Sequence, residues 1–269
     1  MANDIDTDRA LARNRKEYDD YWSSRWRRTW AYTSQGRLRR FRGLMRRHGL
    51  LEPKSLKVFD QGFGLGLMLF CFPPDTSIAG LELAESAVQS ATDEARKRGY
   101  SNIDLRTFQP GRAYPQEWRE KFDLIISSHV LEHCENPQVV LAELLELLKP
   151  GGVACLIVPI NEAPGEDLNH FYWFTPKSLT DMATAVGLIP LESLECDRLW
   201  ALGTPIALAR QRQDSVPKHI ASLIFNCCTA ILPNPVLEAV DRALAGTRYR
   251  NRQFFLLARK PSGGADETA

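Results

Sequence analysis

The sequence predicts an α/β fold: a doubly wound, mostly parallel seven-stranded sheet, with helices ahead of it and a helical insertion before its last strand. Two observations carry this. From residue 56 onward, short apolar runs alternate with helical stretches, which is how strands covered by helices on both faces read. A glycine-rich turn follows the first of these runs, where an open α/β sheet turns from strand to helix.

Each element has its own signal. Residues 56–59 are the first strand, ending at Asp60 and the glycine turn, and residues 77–81 are the second. Residues 84–98 read as a helix stopped by Gly99. Strands follow at 103–108 and at 122–127, the latter with β-branched Ile125 and Ile126 at its centre. A helix over 138–148 ends at Lys149-Pro150-Gly151-Gly152, a stop and turn, before a fifth strand at 153–158. Residues 161–174 form a polar and aromatic loop. The next helix spans 176–186, with Thr175 as N-cap and Pro176 at its first position. A sixth strand falls within 188–202 and the last covers 252–258. Between them, helices are expected at 218–232 and 236–244, with breaks at Pro233 and Pro235. The chain thus divides into an N-terminal helical cap (1–52), a core (53–203), a helical insertion (204–250), and a last strand with a frayed tail (251–269).

Composition narrows the function. Lysine plus arginine is 34 and aspartate plus glutamate is 33, so the whole chain presents no field for a nucleic acid or a membrane. Locally, residues 9–47 hold 13 basic residues against three acids, with Tyr18, Tyr21, Trp22, Trp26, Trp30 and Tyr32 among them. Amphipathic helices with their aromatics packed inward and their arginines facing water explain this better than a nucleic-acid surface, since no binding module accompanies the charge. Six cysteines without a Cys-x-x-Cys pair read as reduced, mostly buried thiols of a cytoplasmic protein. Residues 1–8 lack the order of a signal peptide. The longest apolar stretch, 220–232, is interrupted by Ser222, Asn226 and Thr229, so stable membrane insertion is not expected. For the 204–250 insertion, core packing, a substrate lid and a homodimer contact all stay open.

The turn reads Asp60-Gln61-Gly62-Phe63-Gly64-Leu65-Gly66. Glycines let the backbone approach a ligand without a Cβ in the way, and the helix behind them offers free N–H groups. Glu82 ends the second strand, 82 − 60 = 22 residues after Asp60, where an acid accepts hydrogen bonds from the ribose hydroxyls of a nucleoside. The glycines fall at 62, 64 and 66, not in the Gly-x-Gly-x-x-Gly order of dinucleotide sites, which disfavours a nicotinamide dehydrogenase.

Val58 to Gly66 resembles the first motif of class I S-adenosylmethionine (SAM)-dependent methyltransferases, and Gly80 to Ala87 resembles their second. Lys121 to Pro137 is similar to the fourth-strand segment of that family, and Leu148 to Gly152 to the turn before its fifth strand. Asn169 to Leu179 resembles the loop that closes over the active site in its small-molecule, ubiquinone-biosynthesis-like branch. The resemblance covers about residues 56–188. It implies SAM as cofactor and a small-molecule acceptor. Asp60 would fix the turn and the amino group of SAM, and Gly62 and Gly64 would approach its amino-acid part, with Phe63 and Gly66 completing the turn. Glu82, with Leu83 beside it, would hold the ribose. Ser128 and His129 would line the floor beneath the methionine part and the acceptor. Where the family often has an acid near the adenine amino group, this chain has Gln109, whose carbonyl oxygen accepts the same hydrogen bond.

Methyl transfer from a sulfonium depends mainly on positioning, with a base useful for a hydroxyl or protonated amine. Histidine suits that work. His170, on the loop after the fifth strand, is the first candidate for a base or acceptor contact; His129 is the second, acting mainly by shape. His133 is expected to bond backbone within its own turn. His129-Val130-Leu131-Glu132-His133 matches the His-x-x-Glu-His metal motif, but it starts at a strand end and fits the methyltransferase segment better, so no metal is expected. The aromatics Tyr21, Trp22, Tyr172 and Trp173 suggest a planar or apolar acceptor. Ser127-Ser128-His129-Val130 stands where amine methyltransferases of nucleic acids and of glutamine carry Asn/Asp-Pro-Pro-aromatic, and no Pro-Cys nucleophile of the cytosine-C5 type is present. The alternatives are a SAM-fold partner protein without catalysis, and a methyltransferase acting on RNA or protein.

Overall fold

The structure is a computed structural model. It describes residues 32–52, 55–109, 111–162, 169–201, 224–225, 228–229 and 231–262. Outside them lie the aromatic segment ahead of residue 32, most of the expected 218–232 helix, loop residues 163–168 and the tail from 263.

Seven strands form one sheet in the order β3-β2-β1-β4-β5-β7-β6. They are β1 (Lys57–Gln61), β2 (Ser77–Glu82), β3 (Ile103–Thr107), β4 (Phe122–Ser128), β5 (Leu148–Pro159), β6 (Ile189–Cys196) and β7 (Gln253–Arg259). The first five pair in parallel; β7 runs antiparallel to both β5 and β6. The helices are α1 (Tyr32–Arg47), α2 (Glu85–Lys97), α3 (Pro137–Leu147), α4 (Pro176–Ala185) and α5 (Asn234–Ala243).

Alternation along the strands builds two cores, one on each face. Phe59, Ile125, Leu156 and Leu256 point to the face covered by α3 and α4, where Leu141, Leu144 and Leu179 close over them. Val58, Leu124, Ile126, Cys155 and Leu257 point to the opposite face, under Phe41, Leu44 and Met45 of α1 and Ala91 and Ala95 of α2. The strand order reverses between β1 and β4, so a crevice opens at their carboxyl ends, where ligands bind in open α/β sheets.

Several boundaries differ from expectation, each for a physical reason. β1 runs on through Asp60 and Gln61, because both pair with β2 on one side and β4 on the other. β5 begins at Leu148, since that residue pairs with Phe122 across a register shift; the expected turn is absorbed into the strand. Pro235 does not break a helix: α5 begins at Asn234, with Pro235 in its first turn, where a missing N–H costs nothing. Thr175 caps α4 as expected: its hydroxyl accepts from the Ser178 N–H at 3.0 Å, and the Ser178 hydroxyl accepts from the Thr175 N–H at 2.9 Å.

Arg42, Arg46 and Arg47 of α1 face water as expected, and Arg40 does not. Arg40 is buried, bonded to Asp197 at 3.2 Å and to Asp241 at 2.8 Å. Arg47 pairs with Glu192 at 2.6 Å, and Arg39 donates to the Thr229 carbonyl. Gln253 Nε2 also donates to Asp197, at 2.6 Å. Arg40 thus ties α1 to the end of β6 and to α5, and removing it leaves buried carboxylates short of their counter-charge. Arg40→Ala should therefore lose about 3–5 kcal/mol of unfolding free energy. Urea denaturation measures this; a loss below about 1 kcal/mol would place the pair with weak surface ion pairs.

Candidate functional site

At the carboxyl end of β1 the chain must turn sharply above β2. Gly62 donates to the Leu81 carbonyl at 2.7 Å and sits at φ 71°, where a Cβ would overlap Val130. Gly80, opposite Asp60 in the register, leaves room for the Phe63 ring and the Asp60 carbonyl. Glu82, buried at the end of β2, reaches across this turn. Its Oε2 accepts from the Gly64 N–H at 2.7 Å, and its Oε1 from the Ala84 N–H at 3.1 Å. One carboxylate therefore straps the glycine turn to the start of α2.

The remaining expected cofactor residues divide. Phe63 is buried in the core, so only its main chain is left to face a ligand. Gly66 closes the turn through its N–H to the Phe63 carbonyl at 2.8 Å. Leu83 is half-buried beside Glu82. Gln109 is exposed past β3; the Phe108 N–H donates to the Glu82 carbonyl at 2.8 Å, which keeps this stretch at the rim of the same crevice.

Ser127 pairs with Gln61 near the end of β4, and Ser128 and His129 follow it. His129 takes a left-handed backbone, φ 57°, an uncommon conformation that is held by its N–H bond to the Ile157 carbonyl at 2.9 Å. Arg37 of α1 donates to Ser128 Oγ at 3.4 Å. Burial raises the Asp60 carboxyl well above its usual range; the charge of Glu82 adds to this and Arg37 opposes it. Burial, then Arg37, holds the His129 ring well below the usual histidine range, so it is neutral at pH 7.

Behind β4, Leu131–His133 make a single 3₁₀ turn that docks the distant loop. The Glu132 carbonyl accepts from the N–H groups of Phe171 (2.8 Å) and Tyr172 (3.1 Å). His133 Nδ1 donates to the Asn169 carbonyl at 3.0 Å, a bond made 36 residues away, not within its own turn as expected. His170 Nδ1 meets Glu162 Oε2 at 2.8 Å, and its side chain is 6% exposed. The His133 and His170 rings meet edge to face, 4.8 Å between centroids. Glu132 is fully buried, and desolvation pushes its carboxyl up to about 7. His129 Nδ1 stands 3.2 Å from Glu132 Oε1 without hydrogen-bond alignment. At the outer edge Phe171 and Trp173 are exposed, while Tyr172 packs on Phe174.

The structure thus brings together Asp60, the glycine turn, Glu82, Ser128 and His129, and adjoins to them a second cluster of Glu132, His133 and His170. Asp60 Oδ1, Ser127 Oγ and His129 Nε2 are buried without a hydrogen-bond partner, and unpaired buried polar atoms call for one. The amino-acid part of SAM, with its ammonium and carboxylate, fits that need beside Asp60 and Arg37. Arg37 and Glu162 are additions to the residues expected. The basic run before residue 47 was a signal for the first; nothing in the spacing marked the second.

The chain is similar to known methyltransferases. Residues 60–154, about a third of the chain, match the methyltransferase-domain family. The ubiquinone biosynthesis O-methyltransferase of Chelativorans sp. is 26% identical over 217 residues, 79% of this chain and 74% of that protein. The enzyme of the same name from Maricaulis maris is 30% identical over 103 residues, 37% of this chain and 39% of its own length. Over most of the curated relatives it matches, the chain spans about two fifths of their length. Among solved structures, the [4+2]-cyclase SpnF shares the fold with a TM-score of 0.58 at 19% identity, covering 83% of this chain and 82% of that one.

The turn carries a direct test. Gly62→Ala forces a side chain into left-handed backbone and against Val130, and should cost about 1–3 kcal/mol of stability. Chemical denaturation reads this; an unchanged midpoint would mean that the turn tolerates a Cβ there.

Proposed function

We propose that this chain, which carries a class I SAM-dependent methyltransferase domain, transfers the methyl group of SAM to an oxygen of a small-molecule acceptor, with nitrogen the next candidate atom. The observation that carries the proposal is the crevice between β1 and β4, where Asp60 Oδ1, Ser127 Oγ and His129 Nε2 lie buried and unpartnered beside a turn strapped by Glu82. The O-methyltransferase relatives support oxygen. The fold alone does not fix the reaction.

When bound, SAM would supply an activated methyl group to the acceptor oxygen. The chain does the rest. Glu82 and Leu83 hold the ribose, Gln109 meets the adenine edge, and the main chain of residues 62–66 lies along the amino-acid part. Asp60 takes its ammonium and Arg37 its carboxylate. His129, neutral at pH 7, takes the acceptor proton at Nε2, and His170 touches the acceptor from the facing loop. Phe171 and Trp173 offer apolar surface at the entrance, which favours a planar or apolar acceptor. The paired arginines of α1 support a small molecule over nucleic acid. No helix among the described residues is long and apolar enough to cross a membrane. Cys71, Cys134, Cys155, Cys196 and Cys228 are free thiols, which favours a reducing, cytoplasmic setting. Of the N-terminal region, the described helix α1 reaches the site through Arg37.

Three measurements follow. Glu82→Gln keeps the shape but loses the charge-assisted bonds, so SAM affinity should fall about 10- to 100-fold by calorimetry; equal affinity would remove Glu82 from the site. Because the Asp60 carboxyl is raised, it takes up a proton above the usual carboxylate range. An ammonium ligand needs it ionised, so SAM affinity should rise with pH below neutrality and level off once Asp60 is ionised. Asp60→Asn should bind weakly and without that slope; a slope retained in the variant assigns it elsewhere. On an acceptor found by screening phenols, amines and sugars, His129→Ala should lower kcat by about 10²- to 10⁴-fold with SAM affinity little changed. An unchanged kcat would remove His129 as the base.

A further inference from the structure

We propose that Glu132 is a positioning residue for the methyl-transfer base: through His129 Nδ1 it sets which ring nitrogen is open to the acceptor, and it stabilises the ring once a proton has arrived. This rests on the reading of His129 as the base and adds the group that prepares it.

The geometry comes from one short segment. β4 ends at Ser128, and His129, at φ 57°, turns the chain into the 3₁₀ turn of Leu131–His133. That turn brings Glu132 back to the histidine three residues before it, with Oε1 3.2 Å from Nδ1. The His129 side chain is 29% exposed and that of Glu132 is fully buried. An acceptor in the crevice therefore meets the histidine, and the acid acts only through it.

The Glu132 carboxylate has no other assignment. Neither of its oxygens has an aligned hydrogen-bond donor, and His129 Nε2 has none either. The loop is docked by the Glu132 main-chain carbonyl, through Phe171 and Tyr172, and any residue at 132 supplies that carbonyl. A buried acid without hydrogen bonds is destabilising, and an apolar side chain of similar size would fill the place at lower cost. Desolvation pushes the carboxyl up to about 7; the neighbouring His133 and His170 oppose this and Glu162 adds to it. Arg37 acts on His129 from α1.

A carboxylate only accepts, so facing Nδ1 it selects the tautomer with the proton on Nδ1 and the lone pair on Nε2. A base working at Nε2 needs that tautomer. When the acceptor O–H bond breaks, its proton moves to Nε2 and the ring becomes a cation. Burial and Arg37 hold the ring neutral beforehand. The cation therefore needs a negative charge beside it, which Glu132 provides. The 3.2 Å contact is not aligned as a hydrogen bond, and bonds between a base and its orienting group often tighten only in the loaded site.

The test is Glu132→Met in the full-length protein, a change that keeps the length of the side chain and removes its charge and lone pairs. The Tm should hold or rise, because an unpartnered buried acid is lost. SAM affinity by calorimetry should be unchanged. On the acceptor found by screening, kcat should fall about tenfold or more with little change in KM. Placed on His129→Ala, the same substitution should lower kcat no further. Nitrogen NMR of the ¹⁵N-labelled wild type at about pH 8.5, where Glu132 is ionised, should show the His129 proton on Nδ1, the signal being assigned by its loss in His129→Ala. This measurement needs no acceptor, and it decides the matter if Glu132→Met does not fold. A wild-type ring protonated on Nε2, an unchanged kcat in Glu132→Met, or an equal fall in both backgrounds with a lower Tm would overturn the proposal. A protein that binds SAM and depends on His129 but not on Glu132 removes this inference alone; a wild type that does not bind SAM removes the methyltransferase reading and this inference with it.

Discussion

The site depends on one carboxylate. Glu82 lies buried at the end of β2 and is satisfied by two main-chain N–H groups, one on the glycine turn and one at the start of α2. Burying a carboxylate is costly unless hydrogen bonds replace its water. Those two bonds do so, and in doing so fix where the turn stands above the sheet. Asp60, just before the turn, is held by its pairing with Gly80 of β2 and Ile126 of β4. Substitution at Glu82 therefore acts twice, on the loop and on the ribose it is proposed to hold. A neutral isostere separates the two effects better than a truncation does.

The crevice has two chemically distinct sides. On the β1–β2 side the partners are main-chain N–H groups and carboxylates, suited to a cationic nucleoside ligand. On the β4 side the partners are imidazoles around a buried Glu132. His129 stands between them, with its backbone in a left-handed conformation that turns the chain from strand into the 3₁₀ turn. Arg37 reaches the same point from α1, and Arg40 one turn later locks that helix to the far edge of the sheet through Asp197 and Asp241. The N-terminal helix is therefore held by buried ion pairs, not only by its apolar face. This explains how a segment outside the alternating core contributes a group to the site.

Much of this was legible in the sequence. The strands, α2, α4 with its Thr175 cap, and the glycine turn were marked by apolar periodicity, caps and positive-φ glycines, all of which act locally. The Asp60-to-Glu82 spacing located the end of β2, because strand and turn lengths leave little freedom. The misplacements arose where pairing partners decide the boundary: the extension of β1 through Gln61 and the start of β5 at Leu148 come from register with β4 and β2. His133 bonds across 36 residues, Glu162 orients His170, and Arg40 pairs with carboxylates far along the chain. Long-range contacts of this kind leave no periodic trace. The Glu132 carboxyl belonged to a recognised pattern, yet only the fold shows that its lone pairs have no partner.

The most direct test is the structure of the protein with S-adenosylhomocysteine, the demethylated form of the cofactor. The account predicts the ribose hydroxyls on Glu82, the amino group on Asp60, the carboxylate on Arg37, and the sulfur directed toward His129 and the Glu132–His133–His170 cluster. A ligand bound away from the β1–β4 crevice, or one whose ribose does not reach Glu82, would contradict it.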